Sequence, residues 1–154
     1  MTIATQSPSR IMTTIGTKFG MDDNRTKKLS ELKDILLQVM SKSENVLFAY
    51  IFGSHIAGMI TESSDMDIAV YLDKKHTDID DFLSLHSALS RALKTDKIDL
   101  VLLNNANNLI LLDSIVRHGI LVIDKNKDRR EEFELRVLHS AIDFREQRKA
   151  IIGR

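Results

Sequence analysis

Short apolar runs alternate along this chain with longer segments in which apolar residues recur every three or four positions. The short runs predict β-strands, because buried strands read as brief β-branched and aromatic segments. They lie at residues 46–52, 66–72, 97–103 and 120–123. The longer periodic segments predict helices, since that spacing gathers apolar side chains on one face. They cover residues 29–41, 78–94, 107–118 and 128–150. The alternation predicts an α/β (α+β) domain, a small mixed sheet flanked by helices.

The last predicted helix carries an apolar stripe at helical spacing. Its members are Phe133, Val137, Ala141 and Phe144. Residues three and four apart share a helical face, so we interpret this stripe as facing the core. The charged residues between them alternate in sign and are interpreted as a solvated face with pairs within the helix.

The first 28 residues differ from the rest of the chain. They are rich in Ser and Thr, hold the only proline, Pro8, and contain no acid before Asp22. We predict that residues 1–28 form a disordered extension, with Met21 as a candidate natural start, and that residues 29–150 form the domain. A transit peptide shares this acid-poor composition but would need an amphipathic basic helix, which the segment lacks.

Composition narrows the possible functions. The 154 residues are enough for one domain, and 43% of them are hydrophobic. The chain has no Cys, and its five histidines lack metal-ligand spacing. No apolar run approaches the length of a membrane span, so we expect a cytoplasmic protein without membrane contact. The formal net charge of zero argues against a protein that grips a long nucleic acid.

Two acids open the second predicted strand. Asp65 and Asp67 are separated by one residue, so alternation along a strand places both carboxylates on one face. Like charges this close raise the pKa of one carboxyl unless a cation lies between them. Magnesium suits such a site, since it prefers carboxylate oxygen and bridges to substrate phosphates. The alternative is a solvated acidic pair at the edge of a strand.

Asp99 interrupts the apolar run of the third predicted strand. A carboxylate inside a buried strand is costly unless it is paired or binds a metal. If this strand lies beside the one that carries Asp65 and Asp67, three acids converge and could hold two divalent ions. The alternative is a residue at a strand end that accepts a hydrogen bond from a nearby amide.

Gly53 and Ser54 end the first predicted strand. Glycine lets the backbone turn and approach a ligand closely, and Ser54 is a good N-cap for a short helix that Gly58 would stop. A helix N-terminus offers free amide donors to phosphate oxygens. The alternative is an ordinary strand–turn–helix connection with a capping serine.

The whole pattern, G-S-x10-D-x-D with a third Asp on a later strand, resembles the nucleotidyltransferase superfamily related to DNA polymerase beta. The compact size is similar to its minimal branch, MNT, and within that branch to the MntA-type antitoxins of HEPN toxins. The resemblance covers about residues 30–147. In one departure, many members carry Arg between Ser54 and Gly58, where this chain has His55, Ile56 and Ala57.

This resemblance implies a polymerase-beta-like fold and transfer of AMP from ATP with two Mg²⁺ ions. It places ATP phosphates at Gly53 and Ser54, both metals at Asp65 and Asp67, and a metal contact and general base at Asp99. The implied acceptor is a tyrosine of a cognate HEPN ribonuclease toxin, with which the chain could form a hetero-oligomer.

Three other functions remain open from the sequence. The chain could be a non-catalytic antitoxin that masks its toxin by contact, which the departure from Arg and the compact size favour. It could modify a small molecule such as an aminoglycoside, although no acceptor-binding domain is evident. Addition of nucleotides to RNA fits least well with the neutral charge.

Overall fold

The computed structural model describes residues 23–53, 65–73, 75 and 78–152, except for the side chains of Arg25 and Ile152. The chain divides into two units between residues 32 and 33. The elements are α1 (Asp23–Lys42), β1 (Val46–Phe52), β2 (Met66–Leu72), α2 (Ile79–Leu93), β3 (Ile98–Leu102), a 3-10 turn (Leu103–Asn105), α3 (Leu109–His118), β4 (Ile120–Asp124) and α4 (Lys127–Ile152). In the first unit, the described part is the beginning of α1.

The four strands form one mixed sheet in the order β3-β2-β1-β4. β1 runs antiparallel to both of its neighbours, while β2 and β3 are parallel. Two parallel neighbours need a crossover connection, and α2 supplies it. The predicted fold class, a small mixed sheet flanked by helices, is therefore confirmed.

The element boundaries show where the apolar pattern was informative. β1 and β2 have the predicted bounds. α1 begins at Asp23 rather than Leu29, because its first turns are polar and show no apolar periodicity. The helix α2 is capped by Asp78, whose carboxylate accepts a hydrogen bond of 3.0 Å from the Asp81 amide. The helix predicted to start at Ser54 lies outside the described residues.

One face of the sheet packs against α3 and α4. Its aromatic centre is Phe48, which stacks on Tyr71 at 4.7 Å between ring centroids and lies 5.6 Å from the ring of Phe133. The buried members of this cluster are Phe48, Tyr50, Ala69, Tyr71, Leu103, Leu112, Ile115, Phe133 and Val137. The predicted core stripe of α4 is confirmed for its first three members, which are buried. Phe144 does not follow the prediction, since it is 38% exposed.

The opposite face of the sheet is also apolar. By alternation it presents Ile51 of β1, Ile68 and Val70 of β2 and Leu100 of β3, all of them buried. Buried side chains of α1 and α2 complete this side of the core: Leu36, Met40, Leu85 and Leu89. The catalytic candidates belong to the first face, because Asp67 and Asp99 alternate in phase with Ala69 and Val101.

Asn104 fixes the end of β2 that lies away from those acids. Its side-chain amide donates a hydrogen bond to the Leu72 carbonyl and accepts one from the Leu72 amide, both at 2.8 Å. The side chain thus pairs with β2 as a further strand residue would. None of the helices in the described part of the chain is long and apolar enough to cross a membrane.

Candidate active site

The ends of three strands bring three of the predicted site residues, Gly53, Asp67 and Asp99, to one end of the sheet. In the sheet, Asp67 of β2 lies opposite Phe52 of β1 on one side and opposite Asp99 of β3 on the other. Residues in register on neighbouring strands point to the same face, about 4.8 Å apart between strands. A backbone hydrogen bond of 2.9 Å from the Met66 amide to the Lys97 carbonyl fixes this end of the ladder. Two carboxylates therefore share one face at one end of the sheet.

The environment of Asp99 differs from the sequence-based expectation. Its neighbours Ile98 and Leu100 are buried on one side, as predicted, but Asp99 itself is exposed. The expectation that Asp99 is a buried acid was therefore wrong, because solvent reaches its side chain. The reason is topological, since β3 is an edge strand and Asp99 is near its beginning.

Gly53 lies directly against the carboxylate of Asp67. Its φ of +83° is in the region that side chains other than glycine rarely adopt. A Cβ built on Gly53 would lie 2.1 Å from Asp67 Oδ2, far inside van der Waals contact. Glycine is thus required here for two independent reasons, the backbone conformation and the space that the carboxylate occupies.

The remaining predicted site residues are only partly accounted for. Ser54, together with His55, Ile56 and Ala57, lies outside the described residues. Asp65 directly precedes β2 and is exposed, whereas Asp67 is half-buried. Over residues 23–53, 65–73, 75 and 78–152, no three side chains of His, Asp or Glu form a group arranged to hold a metal ion. The structure therefore brings Asp67 and Asp99 into register, but it does not gather them with Asp65 into one group that could hold a metal ion.

This donor set fits magnesium when a nucleotide supplies further ligands. Mg²⁺ is commonly bound by one or two carboxylates, with substrate phosphates and water completing its shell. Asp67 and Asp99 provide hard oxygen ligands on a shared face, and the absence of a Cβ on Gly53 lets the Asp67 carboxylate lie against the turn.

A second polar cluster on the same face was missed by the sequence analysis. The Tyr50 hydroxyl donates a hydrogen bond of 3.1 Å to Glu134, and Arg130 contacts Glu134 at 2.5 Å and Asp124 at 2.8 Å. Burial, with the adjacent Glu134 carboxylate, raises the pKa of Tyr50 well above its usual range. Burial alone would lower the pKa of Arg130, but its hydrogen bonds to Glu134 and Asp124 outweigh that effect and raise it.

Only a part of this cluster could have been read from the sequence. Arg130 and Glu134 are four residues apart on a helix, which favours a pair. Tyr50 is 84 residues away from Glu134, so nothing local connects them. All charges in this cluster are matched by partners of opposite sign or by a hydroxyl, which indicates a structural role.

The mixed sheet, the glycine turn against Asp67 and the second carboxylate in register define an α/β domain of the nucleotidyltransferase class. Residues 33–128 match the family model described as "Polymerase beta, Nucleotidyltransferase". This match covers more than half of the chain, and the chain therefore belongs to that family. The resemblance stated from the sequence motif is confirmed.

Individual relatives are similar over most of the chain. It is 28% identical to the protein adenylyltransferase MntA of Aphanizomenon flos-aquae, over 79% of this chain and 85% of that protein. Among solved structures, a toxin–antitoxin structure with AMP-PNP is similar with a TM-score of 0.64 and 24% identity, covering 79% of this chain and 95% of the other.

A structure of the tri-AMPylated Shewanella oneidensis HEPN toxin in complex with MNT antitoxin is also similar. Its matched chain gives a TM-score of 0.59 and 23% identity, covering 80% of this chain and 95% of that chain. At these identities the structural likeness establishes the fold.

Proposed function

We propose that this chain is an Mg²⁺-dependent protein adenylyltransferase that acts as an antitoxin. It transfers AMP from ATP to a tyrosine of a cognate HEPN ribonuclease and thereby silences the toxin. The family membership supports nucleotidyl transfer, and the relative named protein adenylyltransferase MntA supports AMP as the group and a protein as the acceptor. The related structures with AMP-PNP and with an AMPylated HEPN toxin support ATP and that kind of partner.

The observation that carries the proposal is the position of Asp67. It lies in register with Asp99 on one side and against the Cα of Gly53 on the other. Carboxylates in register on neighbouring strands offer the hard oxygen ligands that Mg²⁺ binds together with substrate phosphates. Asp67, Asp99 and Asp65 would hold the magnesium ions. Bound magnesium would neutralise charge on the phosphates and lower the pKa of the acceptor hydroxyl.

The roles of the chain's own residues are proposed from the family motif, since Ser54 lies outside the described residues. Gly53 and Ser54 hold the triphosphate, with the turn amides as donors. Asp99, exposed at the edge of the sheet, accepts the proton of the acceptor hydroxyl. The hydroxyl oxygen then forms a bond to the α-phosphorus, the bond to the bridging oxygen breaks, and pyrophosphate leaves.

The variant Asp67→Asn tests this assignment. The purified chain is incubated with α-labelled ATP, Mg²⁺ and the HEPN ribonuclease encoded beside its gene, and label on the toxin is measured. We expect Asp67→Asn to lower the rate about a thousandfold or more, several kcal/mol of transition-state stabilisation, while the thermal melt is preserved.

Asp80→Asn is the matched control, because Asp80 is an exposed acid in the first turn of α2 and should leave transfer unchanged. Transfer by Asp67→Asn at the wild-type rate would refute the role of Asp67. A wild-type chain that inhibits the ribonuclease without labelling it would instead support masking by contact. The absence of a HEPN reading frame next to the gene would count against the proposed partner.

A further inference from the structure

The last third of α4 extends beyond the surface that buries the first part of the helix. α4 has 26 residues, about 39 Å of helix, and every residue from 142 to 151 is exposed. The core stripe of Phe133, Val137 and Ala141 nevertheless continues at helical spacing through Phe144 and Ile151. These two are 38% and 78% exposed. An apolar stripe that continues past the core is typical of a surface that a partner covers.

Ala141 and Phe144 of this stripe lie in one wall of a groove. The other wall is the beginning of α3, with Leu109 and Ile110, and Ile110 is 66% exposed. Phe144 and Ala141 complete the apolar lining of a groove of about 210 Å³. A groove between two helices with protruding apolar side chains suits the apolar stripe of a third helix.

The charges around the groove indicate what charge a fitting partner would carry. Arg145 and Arg148 line the groove from α4, against one acid, Asp113 of α3. Asp113 is already neutralised twice, by Arg145 at 2.6 Å and by Arg117 at 2.7 Å. The Arg148 guanidinium lies 5.8 Å from the centroid of the Phe144 ring, so it places positive charge beside the apolar lining. The rim is therefore basic.

From this surface we infer that the α3/α4 groove is the docking site for an amphipathic helix of the HEPN toxin, one whose apolar stripe is flanked by carboxylates. The inference rests on the proposed function for the identity of the partner. Apolar side chains of that helix would cover Phe144 and Ile151, and its acids would meet Arg145 and Arg148.

Neither a second copy of the chain nor its residues 1–21 would fit this groove well. In an antiparallel pair with a second copy, contact between Phe144 and Ile151 of opposite copies would bring Arg148 next to its own equivalent, a repulsive arrangement. Residues 1–21 contain no acid and carry Arg10 and Lys18, so they lack the charge that a basic rim would attract.

The groove lies at a distance from the proposed chemistry. Gly119, directly after α3, is close to the Ile51 carbonyl of β1, near the end that carries Gly53 and Asp67. Leu109 is ten residues earlier, about 15 Å along the helix axis. Docking at the groove would thus hold the toxin while a separate segment reaches the carboxylates, so docking variants should change affinity and leave the chemical step intact.

The test measures binding of the adjacent-gene HEPN ribonuclease by calorimetry without ATP, and AMP transfer separately as kcat and KM. We expect Phe144→Glu and Ile151→Glu to raise Kd and KM at least about tenfold with kcat preserved, and Arg148→Glu to act in the same direction. Leu135→Glu is the matched control, because Leu135 is 57% exposed on another face of α4 and should change Kd less than about twofold.

Each outcome separates this inference from the proposed function. If the wild type labels the toxin and both Phe144→Glu and Ile151→Glu bind like wild type, the docking site is wrong and the proposed function stands. If the wild type neither binds nor labels the toxin, both proposals fail. A wild-type dimer that Phe144→Glu dissociates, as seen by light scattering, would show a second copy in the groove and overturn the inferred partner.

Discussion

Two groups of charged side chains on the same face of the sheet are arranged in opposite ways. Around Tyr50, the carboxylates of Glu134 and Asp124 both contact Arg130, and the tyrosine hydroxyl completes the set. At the strand ends, Asp67 and Asp99 lie side by side on one face of the sheet, and both carry negative charge. The first arrangement is complete within the protein and stabilises it. The second places two carboxylates side by side on one face, and such hard oxygen ligands suit a divalent cation and the phosphates of a nucleotide.

The two groups of charged side chains also differ in how closely they lie to the buried core. The matched cluster lies beside Phe48, Tyr71 and Phe133, whose rings contact one another in the core. The acids lie where the apolar cluster ends, and Asp99 is exposed. The comparison therefore predicts that substitutions in the packed region reduce stability, whereas substitutions beside the acids reduce activity.

The largest expected effect is on stability, from Phe133→Ala. This substitution removes a buried ring that contacts Phe48 and Tyr71, so it should cost about 3–5 kcal/mol of unfolding free energy. Urea denaturation measures the cost. Leu135→Ala, at an exposed position of the same helix, is the control and should cost well under about 1 kcal/mol. An equal loss in both variants would contradict the division into two regions.

Gly53→Ala should produce the next largest effect, this time on activity. The added Cβ would meet Asp67 Oδ2 at 2.1 Å, so the carboxylate must move, and a misplacement of about 1 Å costs roughly a hundredfold in rate. The labelled-ATP assay measures this loss as kcat/KM.

Gly119→Ala is the matched control for Gly53→Ala. Position 119 also has little space for a side chain, since an added Cβ would lie 2.5 Å from the Ile115 carbonyl oxygen. The φ of Gly119, −70°, is ordinary, however, and no carboxylate is involved. We expect Gly119→Ala to lower stability while AMP transfer per folded molecule is kept. A comparable loss of transfer in both variants would mean that general distortion by an added Cβ, and not the position of Asp67, determines activity.

These residues also show how much could be predicted from the sequence. The bounds of β1 and β2 were predicted correctly, because β1 is an uninterrupted apolar run and β2 is interrupted only by Asp67. Gly53, Asp67 and Asp99 were selected from the motif and from an acid placed in an apolar strand. Their register could not be predicted, since pairing between β2 and β3 depends on contacts far apart in the chain.

Other features left no local pattern to detect. The early start of α1 at Asp23 rests on polar turns without apolar periodicity. The exposure of Asp99 follows from the edge position of β3, which the strand's own residues do not encode. Phe144 matches the core stripe in spacing, yet α4 continues past the core, so periodicity alone could not distinguish a buried position from a surface one.

Glu134→Ala should have a smaller effect on stability than Phe133→Ala. It removes the carboxylate that Tyr50 and Arg130 share, which leaves the half-buried hydroxyl without this acceptor and Arg130 with Asp124 alone. We expect a cost of about 2 kcal/mol, measured by urea denaturation. Glu134→Gln keeps an acceptor and should recover part of that loss. Loss of AMP transfer without loss of stability would assign this cluster to the chemistry and contradict the comparison.

Tyr50→Phe should have the smallest effect at neutral pH and the most distinctive dependence on pH. Removing the hydrogen bond to Glu134 should cost about 1 kcal/mol at pH 7. Burial raises the pKa of Tyr50 in the folded state above its ordinary value of 10.0. The unfolded chain therefore loses the phenol proton first as pH rises, so this group stabilises the fold fully below pH 10.0 and progressively less above it. Tyr50→Phe should unfold with a shallower alkaline loss of stability than wild type. Parallel stability curves between neutral and alkaline pH would show that the hydroxyl titrates normally and that this cluster is open to solvent after all.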